Sequence, residues 1–333
     1  MWYTDPKKTV FGGLMIFAKK IEQVYRGMMF VRCDDTGNVF YFSHSDFEGM
    51  QKEDFDFKAS AGHTLKGAFY SYGGEKTDRI VVFDHGMGGG HRSYMKEIER
   101  IARAGYLVFA YDHTGCMESG GESAGGFAQS LCDLNDCISA LKTCEKCAGR
   151  TFSVVGHSWG AFSTMNICAL HPDITHVAAL SGFISVEQMI KQNFSGILGL
   201  YRKHIMSVER RSNPKFVDFN AIESLRGAKT KALLIYSSND PLVKKEFHYI
   251  PLREADLDNV TLIEVENKGH NPNFTEDAVR YKDAFFAELT AKTKAGELET
   301  PEQKTAFRTS YDWERMTAQD EEVWATILDH LEK

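Results

Sequence analysis

The sequence predicts an α/β fold: a mostly parallel sheet with helices on both faces and an inserted helical cap. Three observations carry that prediction. From residue 79 onward, short apolar runs rich in β-branched and aromatic residues alternate with stretches of helical periodicity. Polar or glycine-rich loops follow several of these runs, at the strand ends where reactive groups gather in open parallel sheets. Between the runs ending at 180 and starting at 231 lies far more chain than one crossover helix requires.

Taken in order, Leu14, Phe17, Ala18, Ile21, Val24, Tyr25 and Met28 recur at helical spacing, so residues 1–35 read as an amphipathic helical extension. Residues 36–333 read as the main domain. Asn38 to Phe42 and Phe55 to Phe57 have strand character, and the run through Ala68 to Gly74 ends a third strand. Strands follow at Arg79 to Phe83, Tyr106 to Tyr111, Thr151 to Val155, His176 to Leu180, Lys231 to Tyr236 and Val260 to Val265. Helices are expected over Tyr94 to Ala104, Phe127 to Leu141, Ala161 to Leu170 and Ala318 to Leu331. Residues 184–227 read as the cap, and the polar stretch from Ala291 to Ser310 as surface linker.

Composition narrows the function classes. With 333 residues, 43% hydrophobic and 26% charged, the chain is an ordinary globular one able to bury a large core. A net charge of −7 without a basic stripe gives no support for nucleic-acid binding. Residues 295–333 hold ten acids and four bases, so much of the acidic excess is C-terminal. Seven cysteines, an odd number without closed-loop spacing, suit reduced thiols in the cytoplasm. Cys144 and Cys147 form a CxxC without a second ligand pair, so no metal is expected. The longest apolar run, Val10 to Ala18, is too short to cross a bilayer. Stable membrane insertion is therefore not expected, and the N-terminal helix is a candidate surface for packing or self-association.

Gly156-His-Ser-Trp-Gly160 closes the strand Thr151 to Val155 and opens a helix. A sharp strand-to-helix turn of this kind lifts a serine hydroxyl above a sheet, and glycines permit the close backbone approach. Gly121-Glu-Ser-Ala-Gly125 matches the same pattern, but its Ser123 lies in a polar loop with no adjoining strand and reads as a helix N-cap candidate. A serine needs a base, and the base an orienting carboxylate. Asp240 follows the strand ending at Tyr236, and His270 follows the strand ending at Val265. The order Ser158, Asp240, His270 is the one such a sheet requires. Taken alone, Asp240 before Pro241 could be a turn former and His270 a loop histidine; the conjunction argues otherwise. Asp112 is the runner-up acid. Backbone N–H groups of Trp159 and of Met87, in His85-Gly-Met-Gly-Gly-Gly90, are the candidate oxyanion donors.

These residues resemble the α/β-hydrolase superfamily, and within it the capped serine hydrolases that include monoglyceride-lipase-like, serine-aminopeptidase-like and bacterial esterase members. The resemblance rests on His85-Gly-Met-Gly-Gly, Asp112-His-Thr-Gly, Gly156-His-Ser-Trp-Gly, Asn239-Asp-Pro-Leu-Val and Gly269-His270. It implies an acyl-enzyme on Ser158, with His270 moving the proton and Asp240 orienting it. The expected substrate is a small-molecule carboxylic ester and no cofactor is expected. Amidase or aminopeptidase, thioesterase and acyltransferase activities would use the same three residues. A binding protein of this fold without turnover is the alternative of another class. His85, Gly86 and Gly88 in the glycine-rich loop, Phe183 beyond a strand end, and Met189 and Phe194 in the cap are the candidate substrate-binding residues.

Overall fold

The computed structural model describes residues 6–75 and 78–333, with side chains from residue 17 onward. The described residues form ten strands: β1 (Gln51–Asp54), β2 (Phe57–Lys58), β3 (Thr64–Leu65), β4 (Gly67–Ser71), β5 (Arg79–Asp84), β6 (Leu107–Tyr111), β7 (Thr151–His157), β8 (His176–Leu180), β9 (Lys231–Ser237) and β10 (Val260–Val265). The helices are α1 (Pro6–Met29), α2 (Met95–Arg103), α3 (Gln129–Leu141), α4 (Trp159–Asn166), α5 (Val186–Asn193), α6 (Arg202–Ser212), α7 (Ala221–Leu225), α8 (Tyr249–Ala255), α9 (Glu276–Lys294), α10 (Pro301–Thr309), α11 (Trp313–Met316) and α12 (Glu321–Glu332). Eight strands form one sheet in the order β1-β4-β6-β5-β7-β8-β9-β10. Pairing is parallel from β6 through β10 and antiparallel only at the β1–β4 and β4–β6 ladders.

The central strands are nearly unbroken apolar runs because both their faces are covered. Along β5, Ile80 and Val82 join the layer of α3 and α4, while Val81 and Phe83 join the layer of α2 and α12. The stretch from Asn38 to Phe42 is not a strand. Its aromatics pack elsewhere: Phe40 meets Phe42 edge-on at 5.0 Å and Trp313 at 6.1 Å. The expected linker at 291–310 is instead the end of α9, a short connection and the whole of a capped α10. Thr300 and Gln303 form a capping box, Pro301 occupies the first turn, and Leu298 and Phe307 bury themselves with Phe285 and Met316. Two apolar anchors and a cap suffice to fold a stretch whose average composition is polar.

The segment between β8 and β9 folds as α5, a 3-10 turn at Gly196–Tyr201, α6 and α7. Glu209 of α6 is fully buried and ties three parts together. It accepts from Tyr25 Oη of α1 at 2.6 Å and from the Phe127 N–H at 2.9 Å. Burial pushes its carboxyl up to about 7. The N-terminal extension is stitched to the main body beyond α1: Cys33 N–H donates to Gly115 O, Met117 N–H to Cys33 O, and the Arg32 guanidinium to Met117 O. Among the described residues no helix is long and apolar enough to cross a membrane.

Candidate active site

Strand β7 ends on His157, and Ser158 follows with φ +57° and ψ −111°. That positive φ is costly for a residue with a side chain, and such strain concentrates where geometry serves chemistry. The two glycines of the turn have steric reasons. A Cβ on Gly160 would fall 2.1 Å from Asp84 O, and one on Gly156 would fall 2.5 Å from Gly160 O. Strand, turn and helix can pack this closely only without those atoms.

Ser158 Oγ lies 2.8 Å from His270 Nε2, and His270 Nδ1 lies 2.8 Å from Asp240 Oδ2. The carboxylate accepts a hydrogen bond from Nδ1–H, which leaves the Nε2 lone pair facing the serine hydroxyl. Asp240 is itself held, its Oδ1 accepting from the N–H groups of Leu242 and Val243 at 2.8 and 3.0 Å. Asn239 Oδ1 accepts from Gly269 N–H at 2.8 Å, so the loops after β9 and β10 are fastened to each other. Three side chains spread over a span of 112 residues thus form one continuous chain of hydrogen bonds.

Two residues that the sequence did not single out brace this chain. His157 is buried, and its Nε2 lies 2.7 Å from the carbonyl oxygen of His270. A carbonyl only accepts, so Nε2 carries the proton and Nδ1 accepts from Tyr94 Oη at 2.8 Å. Tyr94 Oη in turn accepts from the Gly86 N–H at 3.1 Å. Every donor in this relay is assigned by chemistry. It couples the glycine-rich loop after β5 to the loop that bears His270. Burial and the neighbouring His270 drive the His157 imidazole well below its usual range, as a neutral relay requires.

The glycine-rich loop departs from expectation in one respect. His85 does not face a substrate: its ring is fully buried, Nδ1 bonds Gly86 O at 2.7 Å and Nε2 accepts from His113 N–H at 2.9 Å. Gly86 has given its N–H to Tyr94, and Gly88 turns the loop at φ +92°. Among the described residues the Met87 N–H has no acceptor. Trp159 opens α4, where a helix leaves its first N–H groups without an internal partner. Its indole is anchored through Nε1 to Phe127 O at 2.7 Å.

Beneath the turn lies a fully buried ionic cluster. His113 sits 2.9 Å from Asp84 Oδ1 and 3.2 Å from Asp133 Oδ2, with its ring 4.7 Å from that of Trp159. Burial alone would lower this imidazole, but the Asp84 and Asp133 carboxylates raise it to about 10. Tyr111 Oη and Ser163 Oγ also donate to Asp84.

The remaining candidates fall in different places. Asp112 pairs with His91 Nδ1 at 2.7 Å and takes the His91 N–H at 2.8 Å, away from His270. Burial would raise its carboxyl, yet the His91 partner holds it at about 2. Ser123 lies in a loop and caps no helix; α3 starts at Gln129 after Ala128. Phe183 is buried in a core stack, 4.6 Å from Phe162 and nearly parallel to it, so it packs the core rather than an open wall. Met189, on α5, is buried, and Phe194, just after α5, lines a groove shared with α1. Among the described residues no group of three or more His, Cys, Asp or Glu side chains is placed to hold a metal.

A family model described as serine aminopeptidase, S33, matches residues 75–221. The fold is that of the Pyrococcus furiosus esterase Pf2001, with a TM-score of 0.57 and 21% identity over 81% of this chain and 97% of that one. The chain has the α/β-hydrolase fold. Est1E from Butyrivibrio proteoclasticus, solved with ferulic acid, is also similar, with a TM-score of 0.54 and 14% identity over 72% of this chain and 100% of that one. The uncharacterized protein YqkD of Bacillus subtilis (strain 168) is 25% identical over 162 residues. The chain spans about half the length of this curated relative, and the match covers 49% of the chain.

Proposed function

We propose that the protein is a serine hydrolase that cleaves carboxylic esters through an acyl-enzyme on Ser158. The observation that carries this reading is the unbroken Ser158–His270–Asp240 chain, with both links at 2.8 Å. Ser158 Oγ attacks the ester carbonyl as its proton passes to His270 Nε2, and Asp240 stabilises the imidazolium. The N–H groups of Met87 and Trp159 receive the oxyanion. His270 then gives the proton to the departing alkoxide. Water, deprotonated by His270, attacks the acyl carbonyl and returns the proton to Ser158 through the same imidazole.

Two structural relatives favour esters: the Pyrococcus furiosus esterase, and Est1E with ferulic acid bound. The family model's description as a serine aminopeptidase favours a second reading, amide cleavage by the same three residues. A panel of esters, amides and thioesters of graded acyl length separates the two. The proposal expects saturable ester turnover that a fluorophosphonate abolishes by labelling Ser158. Turnover confined to amino-terminal amides would replace the ester assignment, and labelling elsewhere would remove the whole reading.

The relay through Tyr94 gives a sharper expectation. Tyr94→Phe removes one hydroxyl that both accepts from Gly86 and donates to His157. Losing a buried hydrogen bond of this kind costs roughly 1–2 kcal/mol. We expect kcat to fall by roughly 5- to 30-fold with KM little changed. A fall in melting temperature with unaltered kcat per folded molecule would make Tyr94 merely structural.

A further inference from the structure

Large apolar side chains cluster on one exposed ridge that the catalytic reading leaves unused. Ile197 is 81% exposed, Leu200 72% and Met28 68%. Val24, Phe17 and Leu198 are exposed as well. They come from two segments distant in sequence, α1 and the 3-10 turn Gly196–Tyr201 of the cap. The segments meet: the rings of Phe17 and Tyr201 are 5.8 Å apart. Phe17, Val24, Met28 and Leu198 also line a common groove of about 510 Å³ whose surface is mostly apolar. Single exposed apolar residues need no explanation, but a contiguous patch of this kind does.

Charge says what covers it. Residues 1–35 carry six Lys or Arg against four Asp or Glu, and residues 184–227 carry seven against four. The rest of the chain has 26 bases and 38 acids, so these two segments are basic on an otherwise acidic protein. Lys20 lines the apolar groove, and Lys19, Lys191 and Lys203 are exposed on the same two segments. An apolar ridge flanked by flexible cations matches acyl chains beneath anionic headgroups. A second copy of the chain suits it less. A two-fold contact would set the same basic segments of the two copies against each other.

We propose that this ridge docks the protein peripherally on a lipid surface bearing anionic headgroups, with Ile197, Leu200, Val24 and Met28 entering the interface. The docking is independent of the ester-cleavage reading and stands or falls without it. The test uses the full chain with sucrose-loaded vesicles of phosphatidylcholine, with and without about one-third phosphatidylglycerol, and sedimentation of bound protein. Binding is expected on the phosphatidylglycerol vesicles and to weaken with salt. Each basic residue near such a surface is worth roughly fivefold in partitioning. Lys19→Glu with Lys20→Glu should therefore weaken binding by about tenfold or more. Ile197→Asp with Leu200→Asp should abolish binding while circular dichroism and turnover of a water-soluble short ester stay as in the parent chain. No sedimentation with either vesicle, or undiminished binding by the Asp variant, would overturn the proposal. Equal binding to both vesicle types would overturn the anionic assignment. A stable dimer in light scattering that the Asp variant disperses would give the ridge to a second copy instead.

Discussion

Replacing Ser158 by alanine is expected to lower kcat for ester hydrolysis by about four to six orders of magnitude, leaving only what binding and the oxyanion donors supply. The fold should survive, because the hydroxyl bonds only His270 while the turn is held by close backbone contacts. Ser123→Ala should leave the rate essentially unchanged, since that serine lies in a loop away from His270. The comparison separates two serines that match one motif equally well. Steady-state kinetics on a chromogenic ester, with circular dichroism as the folding control, measures it. Loss in Ser123→Ala with activity kept in Ser158→Ala would mean that the motif was assigned to the wrong copy.

The second large effect is on stability. His113→Leu would leave Asp84 and Asp133 buried without their common cation. Removing one partner of a buried ionic group costs about 3–5 kcal/mol, which is roughly 10 °C in melting temperature for a chain of this size. The effect should also depend on pH. His113 titrates at about 10 in the folded protein, above the value of about 6.5 for an unfolded imidazole. A raised folded value contributes its full stability below the unfolded value, and that contribution is lost as pH rises towards the folded one. The melting difference between parent and variant should therefore be flat below about pH 6 and narrow between about pH 7 and 10. A difference that does not move with pH would mean that His113 is neutral in the fold.

Some of this was legible in the sequence for identifiable reasons. The parallel strands show themselves because both faces are covered, so Ile80 to Phe83 and Val154 to Val155 read as unbroken apolar runs. Ser158, Asp240 and His270 could be selected because each stands just beyond a strand end and the chain order is restrictive. Other residues owe their roles to partners that no local pattern reveals. His85 looked like a site residue from its place in a glycine-rich loop, yet its nitrogens serve Gly86 and His113. The aromatics near residue 40 have strand character, but Phe40 answers to Trp313, far along the chain. The helix at Pro301–Thr309 was signalled by Thr300, Pro301 and Gln303, a cap that average polarity concealed. His157 had a signal too, since it sits inside the serine motif; its partner Tyr94 did not.

On the proposed reading, Ser158 is a nucleophile activated by His270 and Asp240. The most direct test of that role is to expose the folded full chain to a fluorophosphonate, digest it and locate the adduct by mass spectrometry. One adduct is expected, on the peptide containing Ser158, with its near disappearance in His270→Ala. An adduct on Ser123 with Ser158 unmodified, or no adduct in folded protein, would contradict it.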